Sequence, residues 1–193
     1  LTDPRVKVYF PNFSPYHTRA FAMGAGWLGL HAGAVIPLDR TQLDKGLQHT
    51  SGRECLPLPI CIGQLLQIHE HRQPGEIAGF YMLQGGAPCV SDAYMGYFER
   101  FLTEQRLTDL FLFNPQPDND FLGFDKNVLA QHLSPAIILA DILVEIDHVL
   151  RVVGHQGALD QLREEWEGFA QGARSLDEFH ATLPSFVERL ARL

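Results

Sequence analysis

The fold class of this chain follows from residues 77–113, which read IAGFYMLQGGAPCVSDAYMGYFERFLTEQRLTDLFLF. They open with an apolar run, Ile77 to Leu83, whose composition predicts a strand buried on both faces. Ala93 to Gln105 then places aromatic and aliphatic residues at helical spacing, and Thr108 to Phe113 predicts another strand. A strand, a helix and a strand in this order indicate a parallel βαβ unit.

The sequence on either side extends this alternation. Val6 to Phe10 and His31 to Ile36 predict two earlier strands, each stopped by a proline. From Lys126 onward the pattern predicts helices only. We therefore expect an α/β fold: a four-stranded, mainly parallel, doubly wound sheet of Rossmann or flavodoxin-like type in residues 1–125. A helical C-terminal extension in residues 126–193 is expected to pack on it as one structural unit.

Several helix boundaries are marked by proline. Ser14-Pro15 and Ser134-Pro135 each pair a capping residue with a proline suited to the first helical position, so each predicts a helix start. Pro57 to His71 has helical spacing. Pro184 is expected to interrupt the last helix, which opens at the capping box that begins at Ser175.

Composition narrows the classes of function. The chain has 193 residues and a formal net charge of −8, and it shows no basic stripe, which argues against nucleic-acid binding. No apolar run reaches the roughly 18 residues of a membrane span. Three cysteines, an odd and low count, favour a reducing, cytoplasmic setting over a disulfide framework. Because the chain opens at Leu1, close to the first strand, we expect either a piece of a longer polypeptide or a trimmed chain.

Two cysteines stand next to predicted helix starts. Cys55 belongs to GRECLP, residues 52–57, and Cys89 ends the loop GGAPC, residues 85–89. Because both segments should lie at the carboxyl ends of parallel strands, we expect the two sulfurs at one edge of the sheet, where α/β folds bind ligands. Helix dipoles, loop N–H groups and the charge of Arg53 would favour a thiolate there, and a thiolate ligates iron or zinc. The alternative is that both are merely small loop residues.

Other motifs give weaker signals. Gly24, Gly26 and Gly29 match the dinucleotide-binding spacing, but they end a predicted helix instead of opening one, so we interpret them as a helix stop. The phosphate-binding P-loop pattern is missing, and we expect no ATP site in this chain. Cys61 falls inside an apolar helix and is expected in the core. No catalytic residue is predicted, so whether the protein is an enzyme stays open.

The two cysteine segments also carry a resemblance to a known family. Glu54-Cys55-Leu56-Pro57 with Gly63, and Gly86-Ala87-Pro88-Cys89 with Tyr94, resemble the motifs of the CoA-substrate-specific enzyme activase family, the 2-hydroxyacyl-CoA dehydratase activators. The resemblance is to the domain of their multidomain form that is related to the dehydratase D-component. It implies ATP-driven, low-potential electron transfer through an iron–sulfur site. Cys55 and Cys89 would then be ligands of a [4Fe-4S] cluster, with Arg53, Glu54, Gly85 and Gly86 shaping the cofactor edge.

The chain departs from that family in its ligand set. No cysteine follows Cys89, and Val90 stands where the family usually has arginine. We expect the missing ligands from Cys61, an activase ATPase domain, a dehydratase-type subunit or a second copy in a homodimer. Two alternatives stay open: a docking or interaction domain that has lost the cluster, and a metal-free acyl-CoA-binding domain.

Overall fold

The computed structural model describes residues 3–12, 14–33, 36, 39–82 and 93–193. Its elements are β1 (Val6–Tyr9), α1 (Pro15–Trp27), α2 (Arg40–Leu47), α3 (Pro57–His71), β2 (Ile77–Tyr81), α4 (Tyr94–Glu104), β3 (Leu110–Phe113), α5 (Lys126–Val152), α6 (Gln156–Gly172) and α7 (Leu176–Leu190). A segment of 3-10 turns, Pro117–Gly123, follows β3. Helices and parallel strands combine in this chain, so the predicted α/β class is confirmed.

The chain forms two compact units. The α/β unit contains residues 1–13 and 31–125, and the helical unit contains residues 14–30 and 126–193. The expected division, residues 1–125 and 126–193, and the observed one both have a boundary after residue 125. Residues 14–30, which include α1, group with the C-terminal helices instead.

The α/β unit is built on a parallel sheet in the order β1-β2-β3. The register pairs Val6 with Ile77 and Ala78 with Leu110. Strand β2 lies in the middle, and its three central residues are buried, as its apolar run predicts. Buried side chains of α3, β2 and α4 form the core of this unit: Leu58, Cys61, Ile62, Leu65, Ala78, Phe80, Phe98 and Phe101.

The number of strands differs from the prediction of four. The described residues of His31 to Ile36 make a single bridge, in which the Val8 N–H donates to the His31 carbonyl and the Gly33 N–H donates to the Val8 carbonyl, both at 2.8 Å. The described part of the chain therefore has three strands. Gly33 gives a physical reason: a Cβ there would come within 2.3 Å of the Tyr9 ring, so packing requires a residue that forms strands poorly.

Two glycines bring the backbones of α2 and α3 into contact. A Cβ on Gly46 would lie 1.7 Å from the Pro59 carbonyl oxygen, and one on Gly63 would lie 1.8 Å from the Gln42 carbonyl oxygen. No larger residue fits at either position without moving a helix backbone. Gly63, part of the motif that carries the family resemblance, thus has a packing role in this structure.

The helical unit starts with α1, which begins where the sequence predicts. The Ser14 hydroxyl accepts the Tyr16 N–H at 3.3 Å. A Cβ on Gly24 would lie 2.7 Å from the Leu133 side chain, so α1 and α5 pack closely at this glycine. The core of this unit is mostly aromatic and aliphatic: Tyr16, Ala20, Ala136, Ala140, Leu143, Leu162, Trp166, Phe169, Phe179 and Phe186.

Two predicted proline boundaries are wrong. Helix α5 begins at Lys126, nine residues before Pro135, and runs through that proline; α7 runs through Pro184. A proline inside a helix removes one backbone hydrogen bond. Both helices continue because each buries an apolar face beyond its proline, and burial of such a face contributes more to helix stability than local propensity does.

A buried carboxylate ties α5 to its neighbours. Asp147 accepts hydrogen bonds from the Tyr16 hydroxyl at 2.8 Å and from the Arg151 guanidinium, and Arg163 lies 3.6 Å away. Burial opposes its charged form, but the hydrogen bonds from Arg151 and Tyr16 outweigh this, so the pKa of Asp147 lies below its ordinary value. Asp147 is therefore an ionised structural residue of the helical unit.

Candidate functional site

The loop that carries Cys55 is organised by Glu54. Its carboxylate accepts the Ser51 N–H at 3.0 Å, the Ser51 hydroxyl at 2.9 Å and the Arg53 N–H at 3.0 Å. Gly52 supplies the left-handed turn with a φ of 77°. These hydrogen bonds, that of the Ser51 backbone foremost, lower the pKa of Glu54 to about 2. Glu54 is thus an anion at neutral pH, and it closes the turn directly before Cys55.

Cys55 is exposed and lies immediately before α3. Helix α3 leads into the beginning of β2, so its first residues lie toward the carboxyl edge of the sheet. The Cys55 N–H donates to the Tyr94 hydroxyl at 3.2 Å. Tyr94 is the first residue of α4, the helix that follows β2. The Cys55 loop is therefore held beside the beginning of the next helix.

The start of α3 offers the Cys55 sulfur few hydrogen bonds. The helix opens with Pro57-Leu58-Pro59-Ile60, and its two prolines have no N–H. The other two N–H groups donate to the carbonyls of Cys55, at 3.0 Å, and Leu56, at 3.4 Å. The loop and helix N–H groups expected to favour a thiolate are therefore not supplied by residues 57–60.

Three predicted site residues, Gly85, Gly86 and Cys89, lie outside the described residues. They belong to the sequence between Met82, just after β2, and Ala93, just before α4. Cys89 precedes Tyr94 by five residues in sequence.

Residues 31–33 form their bridge with β1 on the edge opposite β2. Alternate residues of a strand point their backbone groups to opposite sides, and Val8 bonds to residues 31–33 while the Arg5 carbonyl accepts the Ile77 N–H on the β2 side. The bridge at Ala32 therefore lies on the edge of β1 away from β2. In parallel α/β sheets, ligands bind at the carboxyl ends of strands whose neighbours along the sequence lie on opposite sides. Here the bridge at Ala32 lies on one side of β1 and β2 lies on the other.

Described residues near the carboxyl ends of β1 and β2 include aromatic and amide side chains. The rings of Phe10 and Tyr81, which follow and end β1 and β2, have centroids 5.2 Å apart. Burial raises the pKa of Tyr81 to about 12, so its hydroxyl stays protonated. The Asn12 N–H donates to the Gln64 side chain at 3.0 Å, and the Gln64 amide donates back to the Asn12 carbonyl at 3.2 Å. The chain leaving β1 is thereby attached to α3.

Cys61 has surroundings opposite to those of Cys55. It is 4% exposed, and burial raises the pKa of its thiol to about 12, as the predicted core position requires. It cannot serve as a ligand at the edge of the sheet. Within the described residues, no three histidine, cysteine, aspartate or glutamate side chains converge as a metal site would require.

An open cavity of about 610 Å³ next to the end of β3 was not predicted from the sequence. Its wall combines apolar and polar residues from α4, β3 and the segment after it: Met95, Glu99, Leu102, Thr103, Leu112, Asn114, Asp118, Asn119 and Leu122. Asp120, Phe121 and Leu122 have left-handed backbone, with φ between 49° and 57°, which is strained in such residues. In the sequence, only the high content of proline, aspartate and asparagine after β3 indicates a loop here.

Comparison with known proteins returns no relative: no protein-family model, no curated protein and no solved structure matches this chain. None of the described helices has the length and apolar composition needed to cross a membrane.

Proposed function

We propose that this chain is a domain of a CoA-substrate-specific enzyme activase or 2-hydroxyacyl-CoA dehydratase-like protein that supports ATP-driven, low-potential electron transfer through an iron–sulfur site. One observation carries the proposal: the hydrogen bond from the Cys55 backbone to the Tyr94 hydroxyl. This hydrogen bond holds the Cys55 loop against the beginning of α4. The first residue of α4, Tyr94, follows the other motif cysteine, Cys89, by five residues in the sequence. The bridge at Ala32 and strand β2 lie on opposite sides of β1, which supports the same edge as a ligand site.

The described residues do not by themselves fit a complete cluster. A [4Fe-4S] cluster takes about four cysteine ligands, and among the described residues Cys55 is the accessible thiol while Cys61 is sealed in the core. The proposal therefore requires Cys89 and further ligands from an activase ATPase domain, a dehydratase-type subunit or a second copy. Glu54 and Arg53 would shape the edge, Glu54 by fixing the turn before the cysteine.

Anaerobic reconstitution with iron and sulfide tests the proposal. We expect the chain to acquire iron, acid-labile sulfide and the broad visible absorption of thiolate-ligated iron. Cys55→Ala and Cys89→Ala should each lower the bound iron severalfold, because each removes a proposed ligand. Cys61→Ala is the matched control and should leave iron content unchanged, since this thiol is buried. A protein that stays colourless would contradict a cluster completed by this chain or by a second copy of it, and equal iron in Cys55→Ala and Cys61→Ala would contradict the role of Cys55 as a ligand.

A docking domain without a cluster is the second candidate, and the single accessible thiol among the described residues favours it. In that case reconstitution yields no iron, and a dehydratase-type subunit still binds Cys55→Ala as well as it binds the unaltered chain. Acyl-CoA binding gains less support. The cavity beside β3 is lined by the carboxylates of Glu99 and Asp118, which would repel the phosphates of CoA.

A further inference from the structure

The cavity beside β3 belongs to the α/β unit, and no described residue of the Cys55 loop lines it. Its volume of about 610 Å³ lies within the range of small-molecule sites, about 300–1,000 Å³. Met95, Glu99 and Leu102 line it together because residues three or four positions apart share one face of a helix, here α4. Asp118 and Leu122 line it from the segment after β3. Two separate segments of the chain therefore form the wall.

Two carboxylates of this wall carry charges that nothing in the described part of the chain balances. The side chains of Glu99 and Asp118 make no hydrogen bond or ion pair with any described residue. Other carboxylates of the α/β unit do pair with arginine or lysine: Asp44, Glu70, Glu104 and Asp109. The described lining of the cavity includes no lysine, arginine or histidine. Charge complementarity therefore calls for a cationic ligand.

The other polar side chains of the lining are engaged with the protein. The Thr103 hydroxyl donates to the Glu99 carbonyl at 2.9 Å. The Asn119 side chain donates to the Asn114 carbonyl at 2.7 Å and accepts the Gln116 N–H at 2.8 Å. Carboxylates only accept hydrogen bonds. A ligand of this cavity must therefore donate them, as an ammonium group does.

The rest of the lining is hydrocarbon and thioether, which a bare metal ion would not use. Four apolar side chains contribute: Met95, Leu102, Leu112 and Leu122. A ligand that covers them gains from the removal of apolar surface from water. We propose that the cavity beside β3 binds an aliphatic diamine or polyamine. Its ammonium groups pair with Glu99 and Asp118, and its methylene chain lies against the four apolar side chains.

Titration of the full chain with the diamine cadaverine tests the proposal, with the amide shifts of Thr103 and Asn119 followed in NMR spectra. We expect saturable binding with a dissociation constant on the order of millimolar, because the ligand is small and the cavity is open. The monoamine pentylamine has the same chain length. It should bind about fivefold more weakly, since it pairs with one carboxylate at a time.

Variants locate the site of binding. Glu99→Gln and Asp118→Asn should each make cadaverine bind no more tightly than pentylamine binds the unaltered chain, because one carboxylate is left. Glu104→Gln is the matched control. It removes the same charge from α4, but the Glu104 carboxylate pairs with Arg100 and does not line the cavity. This variant should keep the preference for cadaverine.

Three results would overturn this inference. The first is no saturable shift at Thr103 and Asn119 at cadaverine concentrations roughly tenfold above the expected dissociation constant. The second is equal weakening by Glu104→Gln and Glu99→Gln, which would show general attraction to the net charge of −8. The third is pentanol binding as tightly as pentylamine, which would show that the carboxylates take no part. The titration needs neither iron nor a thiol, so its result is independent of the iron–sulfur proposal.

Discussion

Cys55 and Cys61 lie six residues apart and differ completely in surroundings. We expect the folded Cys89→Ser variant to react with a thiol reagent at one cysteine, Cys55, because Cys61 is buried and has a pKa raised to about 12. Denaturant should expose a second reactive thiol. Counting released chromophore before and after unfolding measures this. Adding Cys55→Ser should abolish the reaction of the folded protein, and two fast thiols without denaturant would contradict the burial of Cys61.

Glu54 predicts a pH dependence confined to its loop. Its folded pKa, about 2, lies below the ordinary value of 4.5. Its stabilising effect on the loop is therefore complete above pH 4.5 and is lost as the pH falls through about 2. The amide proton shifts of Ser51 and Arg53 should titrate with that midpoint in NMR spectra. Glu54→Gln removes the titration, and a midpoint near 4.5 would show that the hydrogen bonds do not form.

The surroundings of a site residue could be predicted only where residues close to it in the sequence determine them. The position of Cys55 before a helix and the burial of Cys61 follow from nearby spacing and composition. The loss of N–H donors at Pro57 and Pro59 was also readable, because proline has none. The cavity beside β3 was not, since Glu99 and Asp118 come from separate segments that only the folded chain brings together.

Glycine 63 provides a test of the α2–α3 contact. Gly63→Ala would place a Cβ 1.8 Å from the Gln42 carbonyl oxygen, so a helix backbone must move. We expect the free energy of unfolding to fall by about 3 kcal/mol. Protection of the Cys61 thiol, which lies on the same helix, against labelling in denaturant measures it. Gly96→Ala, in α4, is the control. A Cβ at this position meets nothing within 4 Å, and alanine should stabilise α4 by up to about 1 kcal/mol.

Helix positions were predicted well where caps and spacing agree. The bounds of α3 match the expected Pro57 to His71, and α1 begins after Ser14 as its cap indicates. The predicted helix boundaries at Pro135 and Pro184 were wrong because they rest on a local rule, that proline is unfavourable inside a helix, and leave out the tertiary core. The faces that override these prolines pack against other helices, and a sequence window does not contain those partners.

The α/β class was predictable because segments with strand patterns and segments with helix patterns alternate along the sequence. The number of strands was not predictable from the sequence. Gly33, in the expected strand from His31 to Ile36, is required by its close contact with the Tyr9 ring, and glycine forms strands poorly. The grouping of residues 14–30 with the C-terminal helices was not indicated by the sequence either. Sequence order suggests that residues 14–30 stay with their neighbours, whereas their apolar face packs against α5 and α6.

That placement of α1 governs how the protein can be dissected. A fragment ending at Asp125 would keep α1 but lose α5 and α6, leaving Tyr16, Ala20 and Met23 without the helices that cover them. A fragment starting at Lys126 would lack the helix that fills its core. Separating the units therefore calls for a graft: residues 14–30 excised from the first half and joined, by a new linker, to the second.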